Sequence, residues 1–235
     1  MHGERKKLVV FTGAGVSADS GIATFRDEGG LWAKYRIEDV CTPEALERNR
    51  DMVIEFYNMR RREVLSKEPN AGHYALVELE KYFDVEIITQ NVDDLHERAG
   101  SGRVLHLHGE IRKLCSTRNH SLVCGIEGWE QDPCARAADG ELLRPFIVFF
   151  GEAVPMFETA VRIASTADIL IVAGTSLAVY PAASLVRYVP SATPVYLVDP
   201  GTPAIQGVRN LREHIEKNSA EGLPELVKKL TVAVG

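Results

Sequence analysis

Short apolar, β-branched runs recur along the chain at Leu8–Phe11, Val85–Ile88, Phe146–Phe150, Ile169–Ala173 and Val195–Val198, and several are separated by stretches of helical pattern. Strands that are apolar on both faces and alternate with helices predict a mostly parallel sheet covered on both sides. A doubly wound α/β core follows. Two segments break the alternation: Gly29 to about Gly72, which contains a helix-like stretch over Asp51–Ser66, and Leu114–Leu143, which is polar and rich in turn formers. Both read as insertions that pack as one smaller module beside the core, with a substrate cleft between the two parts. The limits expected are about 1–28, 73–113 and 144–235 for the core and about 29–72 and 114–143 for the module, all within a single catalytic domain. The tail Leu223–Leu230, after Gly222, predicts a closing helix.

On the helix after Asp51, residues Val53, Phe56, Tyr57, Arg60 and Val64 follow the i, i+3, i+4, i+7, i+11 spacing. Arg60 therefore falls on the apolar stripe, and Arg61 and Arg62 are expected to turn away from it. A cation on an apolar stripe calls for an anionic partner or an escape to water, and Glu63 is an acidic neighbour in reach.

The segment Val9-Val10-Phe11-Thr12-Gly13-Ala14-Gly15-Val16-Ser17-Ala18 reads as strand, turn and helix, with Gly13, Gly15 and Ala18 at the G-x-G-x-x-G/A spacing of dinucleotide sites. Glycines there let the backbone approach a pyrophosphate, whose charge a helix N-terminus stabilises; tight packing of the turn is the alternative. A hydride-transfer enzyme also needs an acidic residue closing the second strand about 20 residues on. That stretch is Gly30-Leu31-Trp32-Ala33-Lys34-Tyr35, so a conventional dehydrogenase is disfavoured.

His106 and His108 alternate with Leu105 and Leu107, which sends both histidines to one face of a strand and both leucines to the other. Residue type alone leaves three roles open for them: structural, metal-ligating or catalytic.

Composition narrows the partners. In 235 residues, 45% are hydrophobic and 26% charged, the balance of an ordinary globular protein with a sizeable core. The net charge is -6 with Lys and Arg scattered, so no basic footprint for nucleic acid or an anionic membrane is present, and basic, lysine-bearing partners suit the surface better. No apolar run reaches the length of a membrane span, and Met1–Lys7 lead straight into a strand-like run that leaves no room for a signal peptide, so a cytoplasmic location is expected. Cys41, Cys115, Cys124 and Cys134 are too few and too irregular for a disulfide framework and read as free thiols.

Further blocks follow the glycine turn: Ser17-Ala18-Asp19-Ser20-Gly21-Ile22-Ala23-Thr24-Phe25-Arg26, Thr89-Gln90-Asn91-Val92-Asp93, Leu107-His108-Gly109, Phe149-Phe150-Gly151-Glu152 and Gly174-Thr175-Ser176. In these blocks, in their order and over nearly its whole length, the chain resembles the sirtuins. The resemblance implies a Rossmann-like doubly wound parallel sheet and NAD as cofactor. It assigns the NAD site to Gly13, Ala14, Gly15, Ser17, Ile22, Phe25, Arg26, Trp32, Gln90, Asn91, Val92, Asp93, His108, Gly174, Thr175, Ser176, Asp199 and Ala220. His108 and Asn91 are the implied catalytic residues, with His108 as general base. Asp93 falls near the nicotinamide amide. Phe149, Phe150, Gly151 and Val179 resemble the edges that clamp an extended acyl-lysine peptide, a backbone-pairing mode that tolerates many flanking sequences.

The same resemblance implies the chemistry. The acyl-lysine carbonyl oxygen attacks the nicotinamide ribose at C1′ as nicotinamide leaves, through an oxocarbenium-like transition state in which positioning and electrostatics dominate. A base with pKa near the working pH then frees a ribose hydroxyl to attack the alkylamidate carbon, giving lysine and O-acyl-ADP-ribose. Phe56-Tyr57-x-x-Arg60 resembles the Tyr-x-x-Arg element of class III sirtuins, in which a phenol and a guanidinium hold the carboxylate of a succinyl- or malonyl-lysine.

Two departures stand out. Sirtuins commonly hold a structural zinc with two Cys-x-x-Cys pairs, but Arg118 occupies the partner position of Cys115, and Cys124 and Cys134 form no pair. Cys115, Cys124, Cys134 and His120 could supply four ligands only at irregular spacing, so the expectation is no metal and a small module held by packing around Trp129. At Val198-Asp199-Pro200 many sirtuins carry Asn; Asp199 can still accept from ribose hydroxyls. The activity expected is NAD-dependent removal of succinyl, malonyl and, more weakly, acetyl groups from lysine. The alternatives are a plain deacetylase, an ADP-ribosyltransferase and a non-enzymatic NAD-sensing module.

Overall fold

The computed structural model describes residues 5–24, 35–203, 208 and 210–232; the predicted cofactor residues Phe25, Arg26 and Trp32 lie outside the described residues. Among the described residues the strands are β1 (Lys7–Thr12), β2 (Asp84–Thr89), β3 (Val104–His106), β4 (Gly109–Ser116), β5 (Val123–Gly125), β6 (Leu143–Ile147), β7 (Ile169–Ala173), β8 (Val195–Val198) and β9 (Leu211–Ile215). Six of them form one parallel sheet in the order β3-β2-β1-β7-β8-β9. Counted within the sheet this is 3-2-1-4-5-6, the doubly wound Rossmann-like order.

The apolar runs are explained by cover on both faces. Leu8 and Val10 pack under the helices Ala71–Leu79 and Ser219–Val232, and Val9 and Phe11 under the helix Phe157–Ala164 and the 3₁₀ turn Ala182–Arg187. All four strand residues are buried. The closing helix thus begins at Ser219, four residues before the expected Leu223.

Register positions the site. Thr12 lies opposite Thr89 on one side and Ala173 on the other, and Thr89 lies opposite His106, so four strands end in one row. The residues just beyond that row are Gly13, Gln90, Leu107 and Gly174.

Several expectations need correcting. The Phe146–Phe150 run does not join the parallel sheet: β6 pairs antiparallel with β4 in a second sheet of order β5-β4-β6. Its apolar pattern comes from another core, in which Ile111, Ile147 and Phe149 meet Val53, Phe56 and Tyr57 of the helix Arg50–Leu65. This second sheet spans Gly109 to Ile147 and so straddles the expected module limits at 113 and 144. Gly109 is required at its start: φ is +85°, and a Cβ would meet the Phe146 carbonyl oxygen at 2.1 Å.

Arg61 does not turn outward. It is fully buried, and its guanidinium donates to the carbonyls of Ile111 (2.8 Å) and Trp129 (2.7 Å) and to Asn58 Oδ1 (2.9 Å). The helix is covered on a second side by the loop from the small sheet, and a planar fork of donors tolerates burial when it finds such acceptors. Burial, and then the neighbouring Arg112, bring its pKa down to about 10. Nor does the Trp129 ring fill a core: it is 37% exposed, with Arg62 lying 5.5 Å over it. The module is tied instead by polar links, including Gln131 to Asn58 and Leu143, Arg50 to Pro133 and Leu143, and Ser116 to Asp139.

Beneath the strand row two histidines share the core. The rings of His73 and His96 meet edge to face at 5.0 Å, and both residues are buried. Burial lowers the pKa of His73 to about 4 and that of His96 well below the ordinary value. Between about pH 6.5 and 4 the unfolded chain therefore binds more protons than the folded one, so stability falls as pH falls through that window. For His73 alone the loss from pH 7.5 to pH 5 comes to about 2 kcal/mol. Urea unfolding is expected to give the lower midpoint at pH 5, and equal midpoints would contradict the neutral buried pair. Among the described residues no helix is long and apolar enough to cross a membrane.

Candidate active site

A cleft of ≈ 510 Å³ opens where the strand order reverses, lined by the residues that directly follow β1, β2 and β7: Gly13, Gln90 and Gly174. Open α/β sheets bind ligands at such a point. Here two backbone turns interlock. A Cβ on Gly13 would sit 2.7 Å from Thr175 Cβ, one on Gly15 2.8 Å from Gly174 Cα, and Gly174 itself has φ +59° with Val16 N 2.3 Å from its would-be Cβ. The N–H groups of Gly13 and Gly15 donate to the carbonyls of Ala173 and Gly174. The glycines therefore serve first to let the two turns pack, and the interlocked pair, with Ala14 between the glycines, forms the cleft floor. The Gln90 side-chain amide braces it by donating to Thr175 Oγ1 at 2.9 Å. Leu177, two residues on, holds φ at 53°, a conformation costly for a branched side chain and kept here by a fully packed neighbourhood.

The two histidines separate chemically. Leu105 and Leu107 both pack into the core below, as the alternation predicts, although β3 ends at His106. His108 lines the cleft, and its Nδ1 lies 3.1 Å from the Gln90 carbonyl oxygen. A carbonyl only accepts, so Nδ1 carries the hydrogen and Nε2 keeps the lone pair of a base. Burial lowers the His108 pKa, with the Gln90 carbonyl opposing in part, so the imidazole is neutral at ordinary pH. His106 does not line the cleft; it is bonded to Asn91 O and to Glu97.

Beside His108, a buried relay runs from Asn91 Nδ2 to Ser17 Oγ (3.1 Å) and from Ser17 Oγ to Asp93 Oδ2 (3.0 Å), while the Leu95 N–H donates to Asp93 Oδ1. Burial raises the Asp93 pKa, against the pull of Leu95 N–H and Ser17. Asn91 and Val92 line the cleft; Ser17 and Asp93 stand behind them.

At the other end lies an aromatic pocket. The rings of Tyr57 and Phe149 stack at 5.8 Å, and the Tyr57 hydroxyl and Cys41 Sγ are hydrogen-bonded at 3.2 Å. Burial, reinforced by Cys41, raises the Tyr57 pKa well above the ordinary value, so the phenol stays a neutral donor. Arg60 lines the same pocket, 5% exposed, and pairs with Glu63. The expected carboxylate neighbour is thus present, and Arg60 is at the same time a lining residue of the cleft. Phe150, Gly151 and Val179 line the mouth, with Phe150 tied by its N–H to the Cys41 carbonyl.

A Sir2 family model matches residues 13–181. The chain belongs to the Sir2 family. This sirtuin is 52% identical over 233 residues to an NAD-dependent protein deacylase of Bacteroides thetaiotaomicron, covering 97% of this chain and 99% of the relative. It is similar in structure to a Sir2 homolog solved as an NAD complex, with TM-score 0.86 and 39% identity over 99% of this chain and 92% of that one. It is also similar to a Sir2 protein solved with a deacetylated p53 peptide and 3′-O-acetyl ADP-ribose, at TM-score 0.79 and 30% identity, with 98% and 94% coverage.

Where the adenosine contacts are expected, this sirtuin's cleft differs in one residue. Ala220 does not line it; the Ala220 N–H donates to Asp19 Oδ2 at 3.0 Å. Asn218 and Ser219 line it instead, and the buried Ser219 Oγ has no hydrogen-bond partner among the described residues, an opening for a polar ligand group. Asp199, Thr175 and Ser176 line the same end, with Asp199 Oδ1 accepting from Gly201 N–H. Ile22 is a core residue beside Phe56 and Tyr57 rather than a lining one. The sequence reading missed Asp19, Cys41 and Ile111. Cys41 lies on a separate short helix end with no motif of its own, and Ile111 is indistinguishable in sequence from any strand interior.

The residues do not fit a structural zinc. Cys115 is buried in β4, Cys124 and Cys134 are exposed, all four cysteines are free, and among the described residues no group of three His, Cys, Asp or Glu side chains converges. His120 lies 3.4 Å from the Arg144 guanidinium, a poor neighbour for a cation. Ser116 ties the loop instead, donating to Asp139 and accepting from the N–H groups of Arg118 and Asn119.

Proposed function

We propose that the chain is a single-domain NAD-dependent protein-lysine deacylase that removes succinyl and malonyl groups, and acetyl groups more slowly, releasing nicotinamide and O-acyl-ADP-ribose. The observation that carries this reading is one cleft that joins a neutral His108, hydrogen-bonded through Nδ1 and so carrying its lone pair on Nε2, to a buried pocket holding both Tyr57 and Arg60. NAD, when bound, supplies a ribose carbon that becomes electrophilic as nicotinamide leaves. Ala14, Gln90, Thr175, Ser176, Asp199 and Ser219, which line the cleft, would hold it, and Asn91, backed by Ser17 and Asp93, would meet its nicotinamide end.

His108 Nε2 removes a ribose hydroxyl proton, and its low pKa keeps it competent through neutral pH. Phe149–Gly151 and the edge at Val179 receive an extended acyl-lysine peptide of a protein partner. Tyr57 donates a neutral O–H, and Arg60 a charged planar fork, to a carboxylate at the end of the acyl chain. Acetyl offers neither donor a carboxylate.

The products separate this reading from transfer of ADP-ribose to a protein. With NAD and a succinyl-lysine peptide, mass spectrometry is expected to find nicotinamide, free-lysine peptide and O-succinyl-ADP-ribose in equal amounts. An ADP-ribosylated peptide with the acyl group retained would overturn it.

A further inference from the structure

Three successive carbonyls after β2 receive donors from the segment 106–111. His108 Nδ1 donates to Gln90 O at 3.1 Å, His106 Nδ1 to Asn91 O at 2.8 Å, and the Ile111 N–H to Val92 O at 2.7 Å. These links hold the stretch that carries the Asn91 side chain into the cleft and fix the ring of His108. The His108 link survives in either charge state, because Nδ1 keeps its hydrogen in both. The Ile111 link is main chain. Only the His106 link titrates.

The second ring nitrogen of His106 meets Glu97 Oε1 at 2.8 Å. A carbonyl and a carboxylate both accept and neither donates, so both ring nitrogens must carry hydrogen. Loss of one proton would leave a lone pair facing an acceptor at 2.8 Å, on one side or the other. We propose that His106 is a positioning residue, held as an imidazolium between Asn91 O and Glu97, and that its deprotonation sets the upper pH limit of turnover by loosening the segment that carries Asn91 and aims His108.

The surroundings favour the charge. Burial works against it, but the hydrogen bond and charge of Glu97, the Asn91 carbonyl and Glu110 together raise the His106 pKa. Asp93 also faces it, and the burial-neutralised His96 opposes only weakly. Of the nearby cations, Lys113 is bonded to Glu110, and Arg98 and Arg112 pair with Asp94. A histidine whose folded pKa is raised adds stability that is complete below about pH 6.5 and is lost as pH rises through the folded value. The alkaline side is therefore where the link fails, whereas His108 governs the acid side.

The inference rests on the proposed deacylation, and its test separates the two. Nicotinamide release is measured against pH for the parent, Glu97→Gln and His106→Gln, alongside calorimetric NAD binding and a nitrogen NMR titration of the histidine rings. Glu97→Gln keeps an acceptor but removes the charge, so the alkaline limb is expected to move to lower pH by about one pH unit, with the acid limb unmoved. His106→Gln is expected to lower kcat about tenfold at pH 7.5 and to abolish the His106-dependent limb. In the parent, both His106 nitrogens are expected to be protonated at pH 7.5. Unchanged pH profiles in both variants, or a neutral His106 at pH 7.5, would overturn the inference. Should the parent release no nicotinamide with any acyl peptide, the proposed function fails; NMR and the pH dependence of NAD affinity then decide the role of His106 by themselves, a move of the His106 titration and of the alkaline limb of NAD affinity to lower pH in Glu97→Gln supporting it and its absence overturning it.

Discussion

Replacing His108 with Ala is expected to lower acyl-peptide turnover by about 10²–10⁴-fold while leaving the fold in place, the range that a positioned general base contributes. The reason is specific to one nitrogen. With Nδ1 committed to Gln90 O, only Nε2 can take a ribose proton, and burial of the ring keeps that nitrogen unprotonated. The structural cost is one neutral hydrogen bond, about 1 kcal/mol, which lowers Tm by only about 2–4 °C in a chain of this size. Steady-state nicotinamide release, with Tm and NAD affinity as controls, checks it. A variant that keeps NAD affinity and normal turnover would remove His108 as the base.

The second large effect is selective. Arg60→Met and Tyr57→Phe are each expected to reduce kcat/KM for succinyl-lysine peptides roughly 10- to 100-fold, the loss of a charge-assisted hydrogen bond in a buried site. For acetyl-lysine peptides the change is expected to stay within about threefold, because no carboxylate is present to be left unpaired. Glu63 is not stranded when Arg60 is removed, since it also accepts the Ala23 N–H. Tyr57→Phe keeps the ring that stacks on Phe149 and deletes only the hydroxyl beside Cys41. Equal losses on both peptides would make these residues wall rather than recognition groups.

Much of this arrangement was readable from local pattern. The apolar runs of β1, β2, β7 and β8 mark a parallel sheet because both of its faces are covered, and the turn at Gly13–Gly15 shows dinucleotide spacing, while only the strand order puts that turn at the point where it reverses. The His106–His108 alternation put both rings on one side, but it could not separate them. What does so is the partner of the second ring nitrogen: Glu97 for His106, the open cleft for His108. Helical periodicity placed Arg60 correctly and failed for Arg61, because it assumes one covered face and the helix Arg50–Leu65 has two. The Phe146–Phe150 run joins the small sheet instead of the parallel one for the same kind of reason, since an apolar strand does not state which core it fills. Asn91, Ser17 and Asp93 carried no periodic signal. Their hydrogen-bonded relay joins the helix after β1 to the loop after β2, a juxtaposition that only the strand register creates.

The most direct measurement compares kcat/KM for nicotinamide release with succinyl-, malonyl- and acetyl-lysine forms of one peptide at saturating NAD. A pocket built around Tyr57 and Arg60 for an acidic acyl chain gives succinyl and malonyl values at least about tenfold above acetyl, the size of one charge-assisted hydrogen bond. An acetyl value equal to or above the other two would contradict it.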